Sequence, residues 1–233
     1  MYKLAENEFP KVKELFKSLN HELTIAASLI GDFKEIEIYV DNRENPKAAF
    51  MFAPEGDMLV GNPENDEFNK KLHEIIPHDT YLICDSEKWE EKFDIILKNK
   101  YITRHGRYHY ILIPEKLRKL EFSLPKGYEL NKMTKAFLER TDIKNIDMAR
   151  NRVNVQIFKE NSKAFQYGFG YCITYKNEVV CVCQLDNIFE DKCEIGIITS
   201  TAHRKKGLAK ITVFTTVQDY FKQGIKEIGW HCL

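Results

Sequence analysis

The sequence predicts an α+β protein in which a mostly antiparallel sheet is flanked by helices and preceded by a smaller mixed α/β domain. Two observations near the end of the chain lead to this prediction. Residues 194–199 alternate and are rich in Ile and Thr, which is typical of a strand. Apolar residues at near-helical spacing then follow Gly207 and stop before Gly224, as in an amphipathic helix with a glycine cap.

The first half of the chain alternates between helical and strand patterns. The predicted helices lie at 8–19, 21–29, 68–76 and 89–97, the last with Ser86 as its cap. The predicted strands lie at 36–40, 48–52, 58–60, 81–84 and 101–113. The cluster Arg104–His109 has two interpretations, a ligand-binding site and the polar face of a strand edge, and the alternation of Tyr108 and Tyr110 favours the strand. No Cys or carboxylate beside it has the spacing of a zinc site.

A charged, proline-containing linker is predicted between Pro114 and Gly127, which divides the chain into domains at 1–120 and 126–233. In the second domain, the predicted strands lie at 128–133, 165–175, 179–185, 194–199 and 227–232. The predicted helices lie at 135–140, 143–152, 155–160 and 208–221.

Composition excludes several classes of protein. Lys plus Arg and Asp plus Glu number 35 each, so no overall field favours nucleic acid or an anionic membrane. The amino terminus is too charged for a signal peptide, and no apolar run reaches the ~18–20 residues that span a bilayer. The six cysteines form no Cys-x-x-Cys pair, which indicates buried thiols. We therefore expect a cytoplasmic protein without a metal, and its oligomeric state stays open.

The turn before the last helix has the features of a phosphate site. Backbone N–H groups at a helix start lack intrahelical partners, and the helix dipole places partial positive charge there. Basic residues surround the same point, at Arg204, Lys205, Lys206 and Lys210.

The pattern Arg204-x-x-Gly207-x-Ala209 resembles the acetyl-CoA signature of the GNAT superfamily of N-acetyltransferases. The order of predicted elements over Lys126–Leu233 is also similar to the GNAT order from its first strand to its fifth. Within that superfamily the chain resembles the zwittermicin-A-resistance-type group most. The features that match this group are Gly168–Tyr171, Glu194–Ile197 with Thr199, Lys206–Ala209, and Trp230 with Cys232.

The resemblance implies acetyl-CoA as cosubstrate and specific roles for two stretches of main chain. Ile197, Ile198 and Thr199 would contact the pantetheine amides. The pyrophosphate would be held around Arg204, Lys205, Lys206, Gly207, Leu208, Ala209 and Lys210. It also implies a further helix and strands after the fifth strand, so the domain is expected to lack its last elements.

Acetyl transfer to an amine needs a proton acceptor. An alkylamine with a pKa near ~10.4 is protonated at pH 7, and removing that proton costs about 4–5 kcal/mol. Glu194 is the candidate base, with a solvated carboxylate at a strand start as the equal alternative. Asp186, His203 and His231 are lesser candidates.

The predicted function is transfer of an acetyl group to a small amine, by direct attack in a ternary complex. The alternative is a non-catalytic binding or regulatory protein that keeps a GNAT scaffold and senses CoA. A nucleic-acid protein that uses the basic turn is disfavoured by the balanced charge.

Overall fold

The computed structural model describes residues 1–19, 21–29, 31–54, 56–118, 120–153, 157–160 and 162–232. The strands are β1 (Tyr2–Lys3), β2 (Glu37–Val40), β3 (Ala48–Phe52), β4 (Asp57–Gly61), β5 (Leu82–Cys84), β6 (Tyr108–Leu112), β7 (Tyr128–Lys132), β8 (Gly170–Tyr175), β9 (Glu178–Phe189), β10 (Lys192–Thr199) and β11 (Glu227–Cys232). The α-helices are α1 (Glu22–Leu29), α2 (Asp66–Ile75), α3 (Phe93–Ile96), α4 (Lys135–Leu138), α5 (Asp147–Val153), α6 (Ala164–Tyr167) and α7 (Leu208–Lys222). Short 3₁₀ segments lie at Glu6–Val12, Leu15–Ser18, Glu87–Lys92, Pro114–Lys116 and Thr201–His203.

The chain divides into two compact units, Met1–His105 and Gly106–Leu233, each built on a mostly antiparallel sheet with flanking helices. The sequence interpretation assigned residues 108–112 to an N-terminal domain. In the structure these residues form β6, which pairs with β11 of the second unit.

The first unit contains a five-stranded sheet in which the strands follow chain order from β1 to β5. Neighbouring strands are antiparallel up to β4, and β5 pairs with β4 in parallel. Helix α2 makes the connection between β4 and β5. Apolar residues are buried in two clusters, one that includes Phe9 and Met51 and one that includes Phe50 and Trp89.

The second unit repeats this plan with one strand added. Strands β7 to β10 are antiparallel neighbours in chain order, and β11 pairs with β10 in parallel after helix α7. Strand β6 pairs antiparallel with the other edge of β11, from Ile228↔Leu112 to Cys232↔Tyr108. Strand β11 therefore has a paired neighbour on each side.

Helix α7 begins and ends where the glycines predict. Its first residues, Leu208 and Ile211, pack against buried strand residues such as Val180 and Cys181. At its other end Gly224 has a φ of +99°, and Ile225 N–H donates to the Tyr220 carbonyl at 3.1 Å. A left-handed glycine is the usual residue that closes a helix in this way.

Several sequence predictions differ from the structure. The helix predicted at 8–19 consists of two 3₁₀ segments, and Pro10 inside the first removes a backbone donor that an α-helix would use. The extended segment predicted at 101–113 is a strand at 108–112 alone. Ser86 occupies the cap position before 87–92 but makes no capping hydrogen bond.

The strand predicted at 165–175 also differs, because its beginning is helix α6. Gly168, with a φ of +81°, separates this helix from β8. The helix predicted at 155–160 includes residues 155–156, which lie outside the described residues. Among the helices that the structure describes, none combines the length and apolar character needed to cross a bilayer.

Candidate active site

The parallel strands β10 and β11 part soon after they meet. Their ladder contains the pairs Lys192↔Glu227, Cys193↔Ile228 and Glu194↔Gly229. Beyond this point β10 continues to Thr199 beside β9, and β11 continues to Cys232 beside β6. A register shift between Glu194 and Ile195 marks the same place on the β9 side. Main chain of β10 beyond Glu194 thus leaves the β11 ladder and becomes available to a ligand.

Glu194 lies at the parting point and is 4% exposed. Its Oε1 atom is 3.3 Å from His231 Nδ1 and 3.6 Å from His109 Nε2. Asn187 Nδ2 donates to its other oxygen, Oε2, at 3.4 Å. The carboxylate is therefore surrounded by groups that stabilise its charge, and it is not the solvated strand-start residue of the alternative interpretation.

The two histidines face each other across the β6–β11 ladder. His109 pairs directly with His231, and their rings stack with centroids 4.0 Å apart and planes within 3°. Gly229 provides the space beside them. A Cβ at Gly229 would lie 2.9 Å from His109 Nε2 and 3.1 Å from Glu194 Cγ, so a larger residue would push these groups apart.

Burial and the neighbouring His231 lower the pKa of His109 from its ordinary value, and the Glu194 and Glu227 carboxylates act in the opposite direction. The lowering effects dominate, which favours a neutral imidazole at pH 7.

The ligand atoms of His109, Glu194 and His231 all lie within 4.8 Å of one another, a spacing that admits a metal ion. The ring geometry does not fit one. A metal binds a histidine along a lone pair in the ring plane, at about 2.0–2.1 Å for zinc. Two parallel rings 4.0 Å apart have no such point in common. In the arrangement described, both imidazole rings approach the same carboxylate oxygen, Glu194 Oε1.

The predicted phosphate turn follows β10 directly. Gly207 has a φ of +78° and caps α7, and a Cβ there would meet no atom within 4 Å. Lys205 also has a left-handed φ, of +61°. The start of α7 is thus open, and its first turn contains no acidic residue.

The basic side chains of the turn have different roles. Arg204 Nε donates to the Thr199 carbonyl at 3.1 Å, which ties the turn to the end of β10. Lys206 Nζ donates to the Tyr128 hydroxyl at 3.0 Å, and that hydroxyl lies 2.8 Å from His203 Nδ1. His203, a lesser candidate base, is therefore held at the turn, whereas His231 lies beside Glu194.

Asp186, the remaining lesser candidate, lies near Gly196 on the neighbouring strand. Gln184 Nε2 donates to Asp186 Oδ1 at 3.1 Å, and Gln184 pairs with Gly196 across the β9–β10 ladder. A Cβ at Gly196 would lie 2.1 Å from that Gln184 nitrogen. The glycine therefore lets the Gln184 side chain lie across β10.

The first unit contains a cavity of about 490 Å³ beside β5 and the segment 100–105. Two of the basic side chains that line it have partners. Arg104 pairs with Glu90, and Lys100 donates to the Ile76 carbonyl. This cavity has no counterpart of the carboxylate–histidine cluster.

The family model described as GNAT acetyltransferase matches residues 13–232. The chain belongs to the GNAT acetyltransferase family. The match includes most of the first unit, for which the sequence had offered no motif. Acyl-CoA-dependent N-acetyl transfer is the activity that this membership implies. Comparison with curated protein sequences gives no match.

Solved structures of low identity share the fold over nearly the whole chain. A GCN5-related N-acetyltransferase-like protein from Streptococcus suis is 17% identical, with a TM-score of 0.61, covering 97% of this chain and 88% of that chain. A GCN5-related N-acetyltransferase from Sphaerobacter thermophilus is 9% identical, with a TM-score of 0.60, covering 99% and 86%. A tandem GNAT protein from the clavulanic acid biosynthesis pathway is 9% identical, with a TM-score of 0.59, covering 99% and 88%.

His109 is the site residue that sequence reasoning missed. The alternation Tyr108, His109, Tyr110 correctly indicated a strand, but it could not indicate that this strand pairs with β11. The carboxylate near His109 comes from a residue far along the chain, so no local spacing revealed it.

Proposed function

We propose that the protein transfers the acetyl group of acetyl-CoA to a small amine by direct attack in a ternary complex. The observation that supports this most is the position of Glu194. Its buried carboxylate lies where β10 parts from β11, on the strand that leads to the open start of α7. A proton acceptor and a place for the cofactor are therefore on one element.

In this proposal the cofactor lies along β10 and ends at the turn. The main chain of Ile197, Ile198 and Thr199 binds the pantetheine amides. The pyrophosphate accepts hydrogen bonds from backbone N–H groups between Lys205 and Lys210, where the helix dipole favours negative charge. Arg204 shapes the turn rather than meeting phosphate, since its Nε is bonded to the Thr199 carbonyl.

Glu194 accepts the proton of the attacking amine, directly or through one water. Direct attack is supported by the state of the buried thiols. Burial raises the pKa of Cys172 and of Cys183 to about 12, and it raises that of Cys193 as well. These thiols stay protonated at neutral pH, so they are poor nucleophiles for an acyl-enzyme.

Four finer predictions from the sequence accompany this proposal. They are membership of the zwittermicin-A-resistance-type group, a cytoplasmic location, function without a metal, and a small-molecule rather than a nucleic-acid partner.

The test is a thiol-release screen with acetyl-CoA and a panel of small amines, on the wild type and on Glu194→Gln. We expect release with at least one amine, and a kcat about 10²- to 10³-fold lower in the variant, as for loss of a general base. Glu129→Gln removes an exposed carboxylate from the same sheet and serves as control. Thiol release that Glu194→Gln leaves unchanged would remove Glu194 from the mechanism. A chain that binds acetyl-CoA without transferring it would favour a sensor.

A further inference from the structure

The three members of the carboxylate–histidine cluster differ in their access to solvent. The side chains of Glu194 and His231 are 5% and 6% exposed, whereas that of His109 is 32% exposed. A base that takes a proton in each turnover must also release it before the next one. Glu194 itself is too enclosed to exchange that proton readily with bulk water.

We propose that His109 acts through Glu194: its ring carries the proton from the Glu194 carboxyl group to solvent. This inference rests on the proposed function. The amine N–H proton first moves to Glu194 as the new N–C bond forms and the thioester C–S bond breaks. Coenzyme A leaves as its thiolate, which takes a proton from solvent. The carboxyl O–H bond then breaks as an N–H bond forms at His109 Nε2. The resulting imidazolium loses a proton to water or to a buffer base, which restores a neutral ring.

The geometry selects His109 rather than His231 for this step. Both rings approach the same oxygen, Oε1, but only the His109 side chain is partly open to solvent. The parallel stack with His231 holds the plane of the His109 ring. The 3.6 Å separation of Nε2 from Oε1 is longer than a hydrogen bond, as is common before a substrate is bound.

Burial and the neighbouring His231 support a neutral acceptor, against the opposite effect of the two carboxylates. The groups that face His109 are His231, Glu194 and Glu227, and their sum with burial lowers its pKa. A neutral imidazole can take a proton from a carboxylic acid, whose ordinary pKa is about 4.3.

Gly229 gives a second way to test the contact without removing either partner. In Gly229→Ala the new methyl group would lie within 3.3 Å of His109 Nε2 and of Glu194 Cγ and Oε1. Both side chains keep their chemistry but must move apart.

The experiment measures kcat at low buffer concentration for His109→Gln and Gly229→Ala, with and without added imidazole. We expect kcat to fall about tenfold or more in both variants, and imidazole to restore it in His109→Gln. The Kd for acetyl-CoA should stay unchanged. The wild type and His105→Gln, an exposed histidine of the first unit, should not respond to imidazole. A merely structural role would not produce imidazole rescue.

Several outcomes would overturn the proposal. Wild-type kcat in His109→Gln, or a loss that imidazole does not restore, would exclude the relay while leaving the acetyltransferase activity in place. About one equivalent of Zn²⁺ bound by the wild type and lost in His109→Gln would make the cluster a metal site. Absence of thiol release from the wild type with every amine would instead refute the proposed function, and the relay with it.

Discussion

The two units share one strand plan, but they differ at the last pair of their parallel ladders. In the second unit this pair is Glu194↔Gly229, which places a carboxylate opposite a residue without a side chain. In the first unit the corresponding pair is Leu59↔Cys84, and Leu59 is fully buried in an apolar cluster. The same backbone position therefore holds a charged group in one unit and core packing in the other.

Beyond these pairs the strands of the first unit stay connected. Asp85 N–H donates to the Leu59 carbonyl at 3.2 Å, and its carboxylate accepts from Gly61 N–H at 2.8 Å. Trp89 Nε1 donates to the same carboxylate at 3.1 Å. The Asp85 side chain thus binds the β4 main chain just beyond the end of the β4–β5 ladder.

The starts of helices α2 and α7 also differ, and again only that of the second unit is suited to a phosphate. Helix α2 is capped by Asn65, whose side chain accepts from Phe68 N–H at 3.0 Å, and Asp66 and Glu67 follow in its first turn. Helix α7 begins after the left-handed Gly207, which occupies the cap position but has no side chain to accept a hydrogen bond, and its neighbours are basic. Negative charge at the start of α2 repels a phosphate, whereas the start of α7 attracts one.

This comparison separates what the fold provides from what the residues add. Parallel strands joined by a helix are present twice, but a buried carboxylate at the end of the parallel ladder and a helix start without acidic residues are combined in the second unit alone among the described residues. Function on a shared architecture is decided by the residues at the site.

Substitutions at the last pair of each parallel ladder, at Leu59 and Glu194, should give the largest effects on stability and activity. We expect Leu59→Glu to lower the free energy of unfolding by about 3–5 kcal/mol, because it buries a charge without a partner. The reciprocal Glu194→Leu removes the carboxylate to which Asn187 Nδ2 donates, so it should lower stability by a smaller amount, about 1–3 kcal/mol, while it abolishes acetyl transfer. Urea unfolding and thiol release measure the two properties. A stable Leu59→Glu protein would show that the first unit can hold a carboxylate there.

Removing the Asp85 side chain, which binds the end of β4, should have the next largest effect on stability. Asp85→Ala leaves Gly61 N–H and Trp89 Nε1–H without their acceptor, so we expect stability to fall by about 2–4 kcal/mol. The control Asp79→Ala changes an exposed loop carboxylate and should have little effect. The Kd for acetyl-CoA should be the same in both proteins. A stronger affinity or an additional site in Asp85→Ala would show that Asp85 alone closes the first unit.

A smaller effect is expected from Asp57, at the start of the β4–β5 ladder. Burial raises the pKa of its carboxyl above the ordinary 3.8, although the bond from Thr80 opposes this. The protonated form is therefore favoured by folding, and its contribution to stability is lost as pH rises through the raised pKa. The urea midpoint of the wild type minus that of Asp57→Asn should therefore decrease as the pH rises through that range. A flat difference would contradict the raised pKa.

Local pattern was sufficient for much of the fold. Strands 48–52 and 227–232 have the predicted bounds, since both are short apolar segments between clear turn signals. The start of the segment 165–175 was wrong because Phe165 and Tyr167 fit a strand equally well by type. The left-handed Gly168 that separates helix from strand gives no periodic signal of its own.

The site was predictable only where its chemistry is local. The Gly207 turn and the candidate Glu194 belong to one continuous stretch, so sequence order alone placed them together. The contribution of His109 depends on which strand pairs with β11, and that is set by tertiary structure. That the two units share one strand plan could not be predicted either. Asn65, Asp66 and Glu67 stand where the second unit has its glycine turn, so the two stretches have no common sequence pattern.

The central claim is that acetyl-CoA binds at the second unit and not at the first. Calorimetric titration of acetyl-CoA into the wild type, Gly207→Ala and Gly224→Ala tests it most directly. Both glycines are left-handed and open to a Cβ, at opposite ends of the same helix, so the two variants carry matched backbone strain. We predict about one equivalent bound by the wild type, a Kd raised about tenfold or more by Gly207→Ala, and no change from Gly224→Ala. Two equivalents bound, or equal affinity in all three proteins, would contradict the account.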